Sequence, residues 1–107
     1  GKGIDTFCPM GPWLATADEI ADVDAMELVT RVNGETRQQA KVADLIFDIP
    51  TLIETLTATM TLLPGDIIAT GTPAGVGIGF DPPKYLAKGD TVSVSITGLG
   101  ELENPID

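Results

Sequence analysis

The chain has 107 residues, of which 43% are hydrophobic and 21% charged, and its formal net charge is −10. This composition is typical of one folded globular domain, and 6 basic residues against 16 acidic ones argue against nucleic acid as a partner. No apolar run approaches the roughly 18 residues of a membrane span, and no secretory leader opens the sequence, so we expect a cytoplasmic protein without membrane contact. The chain contains no histidine and one cysteine, which excludes a Ser-His-Asp triad, a Cys-His dyad, a histidine-ligated zinc and an internal disulfide within it.

The first segment, GKGIDTFCPMGPW, mixes prolines and glycines with large apolar residues, which predicts a buried but irregular stretch over 1–13. Cys8 is predicted to be a buried structural thiol, because no histidine is present to activate it. The acidic segment 17–26 predicts a surface loop or a short helical turn. Four of its carboxylates could bind a hard cation, but they do not follow the calcium-loop pattern, and a solvated acidic face explains them better. They are Asp18, Glu19, Asp22 and Asp24.

Two alternating runs flank Asn33-Gly34, the strongest short signal for a β-hairpin, because a type I′ turn needs positive φ at both central positions. The pattern predicts strands at about 26–32 and 35–40. In the first strand, Leu28, Thr30 and Val32 would share one face.

The segment LIFDIPTLIETLTATM has helical spacing and predicts one principal helix over about 49–61. Asp48 is placed to cap it, and Pro50 falls in the first turn, where its missing N–H is harmless. The apolar face would carry Leu52, Ile53, Leu56 and Met60.

A Pro64-Gly65 turn then leads into a predicted short strand at about 66–70, and 81–90 predicts a proline-stiffened surface loop. Strict alternation over 91–97 predicts a half-buried strand, which a glycine turn joins to a partner strand. In that partner strand Glu101 and Glu103 could form a metal pair, although an exposed edge-strand face explains them equally well. The fold class is therefore α+β and β-rich.

The loop TGTPAGVGIG at 70–79 lacks the lysine of a phosphate-binding loop and the spacing of a dinucleotide fingerprint. It would still present two hydroxyls and several N–H groups that can accept a carboxylate. A structural turn and a ligand-binding loop both remain open from the pattern. Lys2, beside two glycines, is by composition a solvated lysine.

Five segments in this order resemble the carboxyl-terminal half of the fumarylacetoacetate hydrolase family, over essentially the whole chain: GKGIDTFCPMGPWL, RVNGETRQ, LIFDIPTLIETLT, LLPGDIIATGTPAGVG and YLAKGDTVSVSITGLGELENPI. The resemblance implies a mixed β-roll, a homodimer, Mg²⁺ or Mn²⁺, and a small anionic 2-oxo acid substrate whose C–C bond is cleaved by hydrolysis or decarboxylation. It also implies that Lys2 is an active-site lysine, that Thr6 lies near the metal shell, and that Thr72 and Gly71 contact the substrate.

In that family the metal carboxylates and a catalytic His–Glu pair precede the lysine, and this chain has no such positions. The resemblance therefore implies one domain, 1–107, that is the carboxyl-terminal part of a catalytic domain without its amino-terminal half. Two alternatives remain: a catalytically inactive β-roll module that serves as a scaffold or dimerisation domain, and a small carboxylate-binding module that uses only the loop and Lys2.

Overall fold

A four-stranded sheet and one α-helix organise the computed structural model, which describes residues 2–107. The strands are β1 (Glu27–Val32), β2 (Glu35–Lys41), β3 (Thr91–Ile96) and β4 (Gly100–Pro105), in the spatial order β2-β1-β3-β4. All three adjacent pairs are antiparallel. Helix α1 (Ile49–Thr57) lies between β2 and β3 in the sequence. The α+β, β-rich fold class is confirmed, and the rolled form of the sheet stays a prediction.

The predicted hairpin is confirmed at its turn and in both strands. Asn33 and Gly34 have φ values of 50° and 81°, as a type I′ turn requires. The Asn33 side chain also donates to Asp90 Oδ1 at 2.8 Å and accepts from the backbone N–H of Thr91 at 2.9 Å. The turn residue therefore ties the hairpin tip to the beginning of β3.

One face of the sheet is apolar, as the alternation predicts. Leu28, Thr30 and Val32 share a face of β1, and Val32 is among the most buried residues, at 7% exposure. Their partners across β3 are Ile96, Val94 and Val92. Because every second residue of paired strands lies on the same side, this face forms the core side of the sheet.

Helix α1 begins where the sequence predicts and ends four residues earlier than expected. The Asp48 carboxylate caps it by accepting from the Thr51 N–H at 2.8 Å. The helix ends at Thr57 instead of 61, and 58–60 form a turn. Threonine hydroxyls near this end donate to carbonyls of the preceding turn, that of Thr57 to Ile53 O at 2.8 Å, a competition that weakens a helix.

The strand predicted at 66–70 is wrong, because this segment carries no strand pairing. Ile67 is 67% exposed, so the described residues leave most of its apolar side chain uncovered. Apolar composition alone does not make a strand when the segment pairs with no neighbouring strand.

The amino-terminal segment is irregular over residues 2–13, as predicted, but its predicted burial is wrong. Phe7, Met10 and Trp13 are each more than 60% exposed, and Cys8 is exposed as well. The Trp13 ring lies beside the first residue of β4, where a Cβ on Gly100 would be 2.8 Å from the ring. Exposed apolar side chains on this scale are typical of an interaction surface.

The acidic segment 17–26 contains the predicted short helical turn, a 3₁₀ turn at Ala17–Glu19. Its carboxylates bond locally: Glu19 Oε2 accepts from the Thr16 N–H at 3.0 Å, and Asp22 Oδ1 accepts from the Asp24 N–H at 3.0 Å. Within residues 2–107, no helix is long and apolar enough to cross a bilayer.

Candidate functional site

The glycine-rich loop at 70–79 packs directly against the backbone of strand β2. Gly75 has φ of 104°, and a Cβ built there would collide with the carbonyl of Arg37. This position therefore requires glycine for two reasons, the positive φ and the close approach to the Arg37 carbonyl. The loop turns a corner and is also held against the sheet.

A single glutamine side chain attaches the loop to β2. The Gln38 Nε2 atom donates to Thr72 Oγ1 at 2.8 Å and to the carbonyl of Pro73 at 2.9 Å. Both bonds have distances normal for well-formed N–H···O contacts. They join residues more than thirty positions apart, so the loop conformation depends on the strand.

A β-bulge in β2 directs two neighbouring side chains towards this part of the chain. Thr30 pairs with Gln38 whereas Arg31 pairs with Thr36, so Arg37 is an extra residue in the strand. In a regular strand Arg37 and Gln38 would point to opposite faces. Here Gln38 reaches Thr72, and the Arg37 guanidinium lies 5.3 Å from the centre of the Phe80 ring. Bulges are common next to functional sites, where they redirect side chains.

A cluster of Glu35, Arg37, Phe80 and Lys84 holds the far end of the loop. Lys84 Nζ lies 2.7 Å from Glu35 Oε1 and 5.0 Å from the centre of the Phe80 ring. Arg37 Nε lies 3.4 Å from Glu35 Oε2 without a well-aligned hydrogen bond. The hydrogen bond from Lys84 lowers the pKa of the exposed Glu35 carboxyl below its ordinary value. Exposed ion pairs contribute little stability individually, so the cluster chiefly fixes the direction of the chain.

The beginning of the loop forms one wall of an open cavity of about 650 Å³. This volume lies within the range of small-molecule sites. Residues 70–74 lie opposite residues of β1, β2, helix α1 and the segment that joins the last two. The apolar lining consists of Leu28, Ala40, Val42, Leu45, Ile46, Phe47, Ile49 and Leu52. Gln39, Lys41 and Asp44 also line the cavity, which therefore combines an apolar body with a few polar groups, the composition that small-ligand sites usually have.

The structure does not bring Lys2 and Thr6 to this cavity. Both are exposed, and neither side chain contributes to the cavity wall or makes an ion pair within residues 2–107. Thr6 nevertheless has φ of 67°, a conformation that is an outlier for a β-branched residue. Such outliers concentrate at functional sites. The roles of Lys2 and Thr6 stay predictions.

The described residues do not make a divalent-metal site. In residues 2–107, no three Asp, Glu or Cys side chains come together in an arrangement that could hold an ion. The pair Glu101 and Glu103 lies exposed along the edge strand β4. A Thr6 hydroxyl alone does not satisfy Mg²⁺ or Mn²⁺, which require several oxygen ligands.

Gln38 is the site residue that sequence reasoning missed. It lies in a strand predicted from alternation, where a glutamine is normally interpreted as an ordinary surface residue. Ala40, the one apolar residue of β2, lies two positions further on and therefore on the same side of the strand as Gln38, which the alternation places on the core side of the hairpin. A polar side chain on a core face needs hydrogen-bond partners, and that requirement was the available signal.

The fold and the site together define an α+β unit in which a loop held against strand β2 lines an open cavity. A sequence model of one family, "Fumarylacetoacetate (FAA) hydrolase C-terminal", matches residues 1–107. The chain belongs to the fumarylacetoacetate hydrolase family.

Its relatives act on more than one substrate. The chain is 54% identical over 106 residues to the oxaloacetate tautomerase YisK of Bacillus subtilis, covering 99% of this chain and 35% of that protein. The structure of the fumarylacetoacetate hydrolase of Exiguobacterium antarcticum superimposes with a TM-score of 0.92 at 46% identity, over 97% of this chain and 37% of that one. Maleylpyruvate hydrolase of Sphingobium, in complex with manganese(II) and pyruvate, matches with a TM-score of 0.85 at 46% identity, over 94% of this chain and 36% of that one. The chain thus spans about a third of the length of these relatives.

Proposed function

We propose that this chain is the carboxyl-terminal part of a metal-dependent catalytic domain that cleaves a C–C bond of a small 2-oxo acid, by hydrolysis or decarboxylation. Membership of the family supports this assignment, as do a relative that is an oxaloacetate tautomerase and one that is a maleylpyruvate hydrolase. C–C cleavage next to a 2-oxo group and keto–enol tautomerisation share one chemical requirement, because both pass through an enol or enolate. A site that stabilises negative charge on the 2-oxo oxygen serves either reaction.

The observation that carries the proposal is the position of Thr72. Its hydroxyl is held by Gln38 on the wall of an open cavity. Gly71 beside it has φ of 126° and no heavy atom within 4 Å of a hypothetical Cβ, so a ligand can approach its backbone. A hydroxyl and backbone N–H groups bind a carboxylate without adding a competing negative charge, which matters in a chain with a net charge of −10.

Each predicted site residue has a role under this proposal. Thr72 and Gly71 bind and orient the carboxylate end of the substrate. Lys2 and Thr6 do not line the cavity, so their proposed roles require the complete protein to bring them to the substrate. Lys2 would then place its ammonium group near the oxygen on which negative charge develops, and Thr6 would lie near the metal shell. Orientation by several fixed contacts is itself a large catalytic contribution, because it replaces random encounters with one productive geometry.

The metal would be held mainly by carboxylates outside this chain, since residues 2–107 do not supply such a set. Manganese(II) accompanies pyruvate in the Sphingobium relative, and Mg²⁺ or Mn²⁺ is the proposed cofactor here. When bound, a hard divalent ion polarises the carbonyl of a chelating 2-oxo acid.

Exposed apolar surface supports the proposal that an amino-terminal part completes the domain. Sixteen large hydrophobic side chains are exposed in residues 2–107, with Ile46 at 93% and Leu14 at 89%, and apolar exposure on this scale is typical of an interaction surface. We expect apolar residues of the amino-terminal part to cover these side chains and its charged residues to lie elsewhere on its surface. The rolled sheet, the homodimer, the cytoplasmic location and the lack of nucleic-acid partners stay predictions.

The proposal is tested first by calorimetry and then by turnover. We expect Mn²⁺ with oxalate, an enolate mimic, to bind the full-length protein and not the isolated 107-residue chain. We expect the full-length protein to convert oxaloacetate or an acylpyruvate, to lose activity in EDTA and to regain it with Mn²⁺ or Mg²⁺. If the full-length protein neither bound oxalate nor turned over substrate, the result would support the scaffold alternative. Micromolar binding by the isolated chain would place a complete site within residues 1–107.

The substitution Thr72→Val should raise KM about tenfold or more and change kcat less, because a hydrogen bond to a charged ligand contributes about 1.5–3 kcal/mol. Steady-state kinetics of the full-length protein measure this. Thr36→Val is the matched control, since Thr36 lies exposed on β2 and makes no side-chain hydrogen bond within the described residues. Equal kinetic constants for Thr72→Val and the parent protein would return the loop to a purely structural role.

A further inference from the structure

The orientation of the Gln38 amide is fixed by its partner atoms. One Nε2 proton is directed to the carbonyl of Pro73, an atom that can only accept, at 2.9 Å. This contact requires the nitrogen, and not the oxygen, to face the loop. The second Nε2 proton is directed to Thr72 Oγ1 at 2.8 Å.

The Thr72 hydroxyl therefore accepts a hydrogen bond from strand β2, and its own proton points away from that strand. An amide nitrogen has no lone pair available to accept, so the Thr72 proton cannot point back at Gln38. Within the part of the chain that the structure describes, Thr72 Oγ1 donates to no other protein atom. Thr72 is exposed and lies on the cavity wall, so its proton is available to a ligand there.

This arrangement suits a ligand oxygen that can only accept. Carboxylate and keto oxygens both have this property at neutral pH. A freely rotating hydroxyl must give up rotational freedom and other partners when such an oxygen binds. A hydroxyl that already accepts one bond from Gln38 has its proton turned away from the strand, and it is therefore prepared for that oxygen before the ligand arrives.

We propose that Gln38 is a positioning residue that fixes Thr72 as a hydrogen-bond donor towards the cavity, and so favours ligands that present an acceptor-only oxygen. The proposal deepens the proposed function and rests on it for the identity of the ligand. The β-bulge at Arg37 contributes to this arrangement, because it allows the neighbouring side chains of Gln38 and Arg37 both to face residues 72–80. Gln38 touches no reacting atom in this arrangement; it acts through Thr72.

The test uses three variants of the full-length protein. Gln38→Met keeps the side-chain length and removes both hydrogen bonds. Gln38→Glu reverses the direction of the hydrogen bond to Thr72. The carboxylate accepts the Thr72 proton and so turns it away from the ligand, and the Pro73 carbonyl repels the carboxylate. The third variant combines Gln38→Met with Thr72→Val. Thr36→Glu controls for a negative charge added on the same strand.

Kinetics and NMR provide separate readouts. We expect KM for the 2-oxo acid to rise about fivefold in Gln38→Met and more in Gln38→Glu, with kcat changed less and with Thr36→Glu near the parent value. The double variant should be no worse than Thr72→Val alone, because Gln38 acts through that hydroxyl. Additive effects of the two substitutions on KM would overturn the proposal, because a residue that acts only through the Thr72 hydroxyl has no effect left once that hydroxyl is removed.

The NMR readout does not depend on turnover. Loss of a side-chain amide pair in Gln38→Met assigns the Gln38 resonances, and Thr72→Val should shift one proton of that pair much more than the other. An unchanged pair would overturn the proposal even in an active enzyme. Should the parent protein bind no oxalate, the proposed function fails, whereas the shift still decides whether Gln38 fixes the Thr72 hydroxyl.

Discussion

Gly75→Ala should have the largest structural effect of any single methyl group added to the loop. The new Cβ would fall on the carbonyl of Arg37, and a backbone atom of a paired strand cannot move aside as a flexible side chain does. The positive φ of 104° adds a cost of about 1–2 kcal/mol for a residue with a Cβ. We therefore expect the loop to leave β2 and to break both bonds from Gln38.

The expected result in the full-length protein is a loss of stability of about 2 kcal/mol or more. KM should rise at least as much as in Thr72→Val, because Thr72 moves together with the loop. Thermal denaturation and steady-state kinetics measure the two effects.

Gly65→Ala is a matched control for this prediction. Gly65 has φ of 100°, almost the value at Gly75, but nothing lies within 4 Å of its hypothetical Cβ. It therefore bears the conformational cost without the collision. If the two variants had the same stability and the same KM, close packing of the loop on β2 would have no functional importance.

Local features of this fold could be predicted from the sequence because their causes lie within a few residues. The Asn33-Gly34 turn requires only two residues that accept positive φ, and both have it. The beginning of helix α1 requires only the Asp48 cap and a proline in the first turn. Alternation over 91–96 likewise identified β3 without any knowledge of its partners.

The features that build the site could not be predicted in this way, because they depend on contacts between distant segments. The contact of Gln38 with Thr72 joins positions 34 apart, and nothing in either local pattern refers to the other. The bulge at Arg37 is a property of the pairing between β1 and β2, and so alternation in β2 alone does not reveal it.

Burial was predicted least well, and the reason is physical. The first thirteen residues have the composition of a core, yet Phe7, Met10 and Trp13 lie largely exposed in residues 2–107. Composition reports which side chains favour burial, whereas burial itself requires a surface to pack against. The same limit applies to helix α1, whose Ile53 is 42% exposed on the face predicted to be apolar.

Lys2→Ala should have the largest effect on catalysis in the full-length protein. A lysine ammonium next to an oxygen that becomes negatively charged stabilises the transition state more than the ground state. Removing one such group typically lowers kcat by about 10²–10³-fold. Stability should hardly change, because Lys2 is exposed and makes no ion pair within the described residues.

Lys88→Ala separates this effect from a general loss of positive charge. Lys88 is also exposed, lies in the 81–90 loop, and takes part in neither ion pair found in residues 2–107. Both variants remove one of only 6 basic residues from a strongly acidic chain, so both strengthen the long-range repulsion of an anionic substrate. A large fall in kcat for Lys2→Ala alone identifies a local catalytic role. An equal and small fall for both variants would mean that Lys2 contributes only to the field of the whole protein, and the proposed reaction would then need another group to stabilise the enolate.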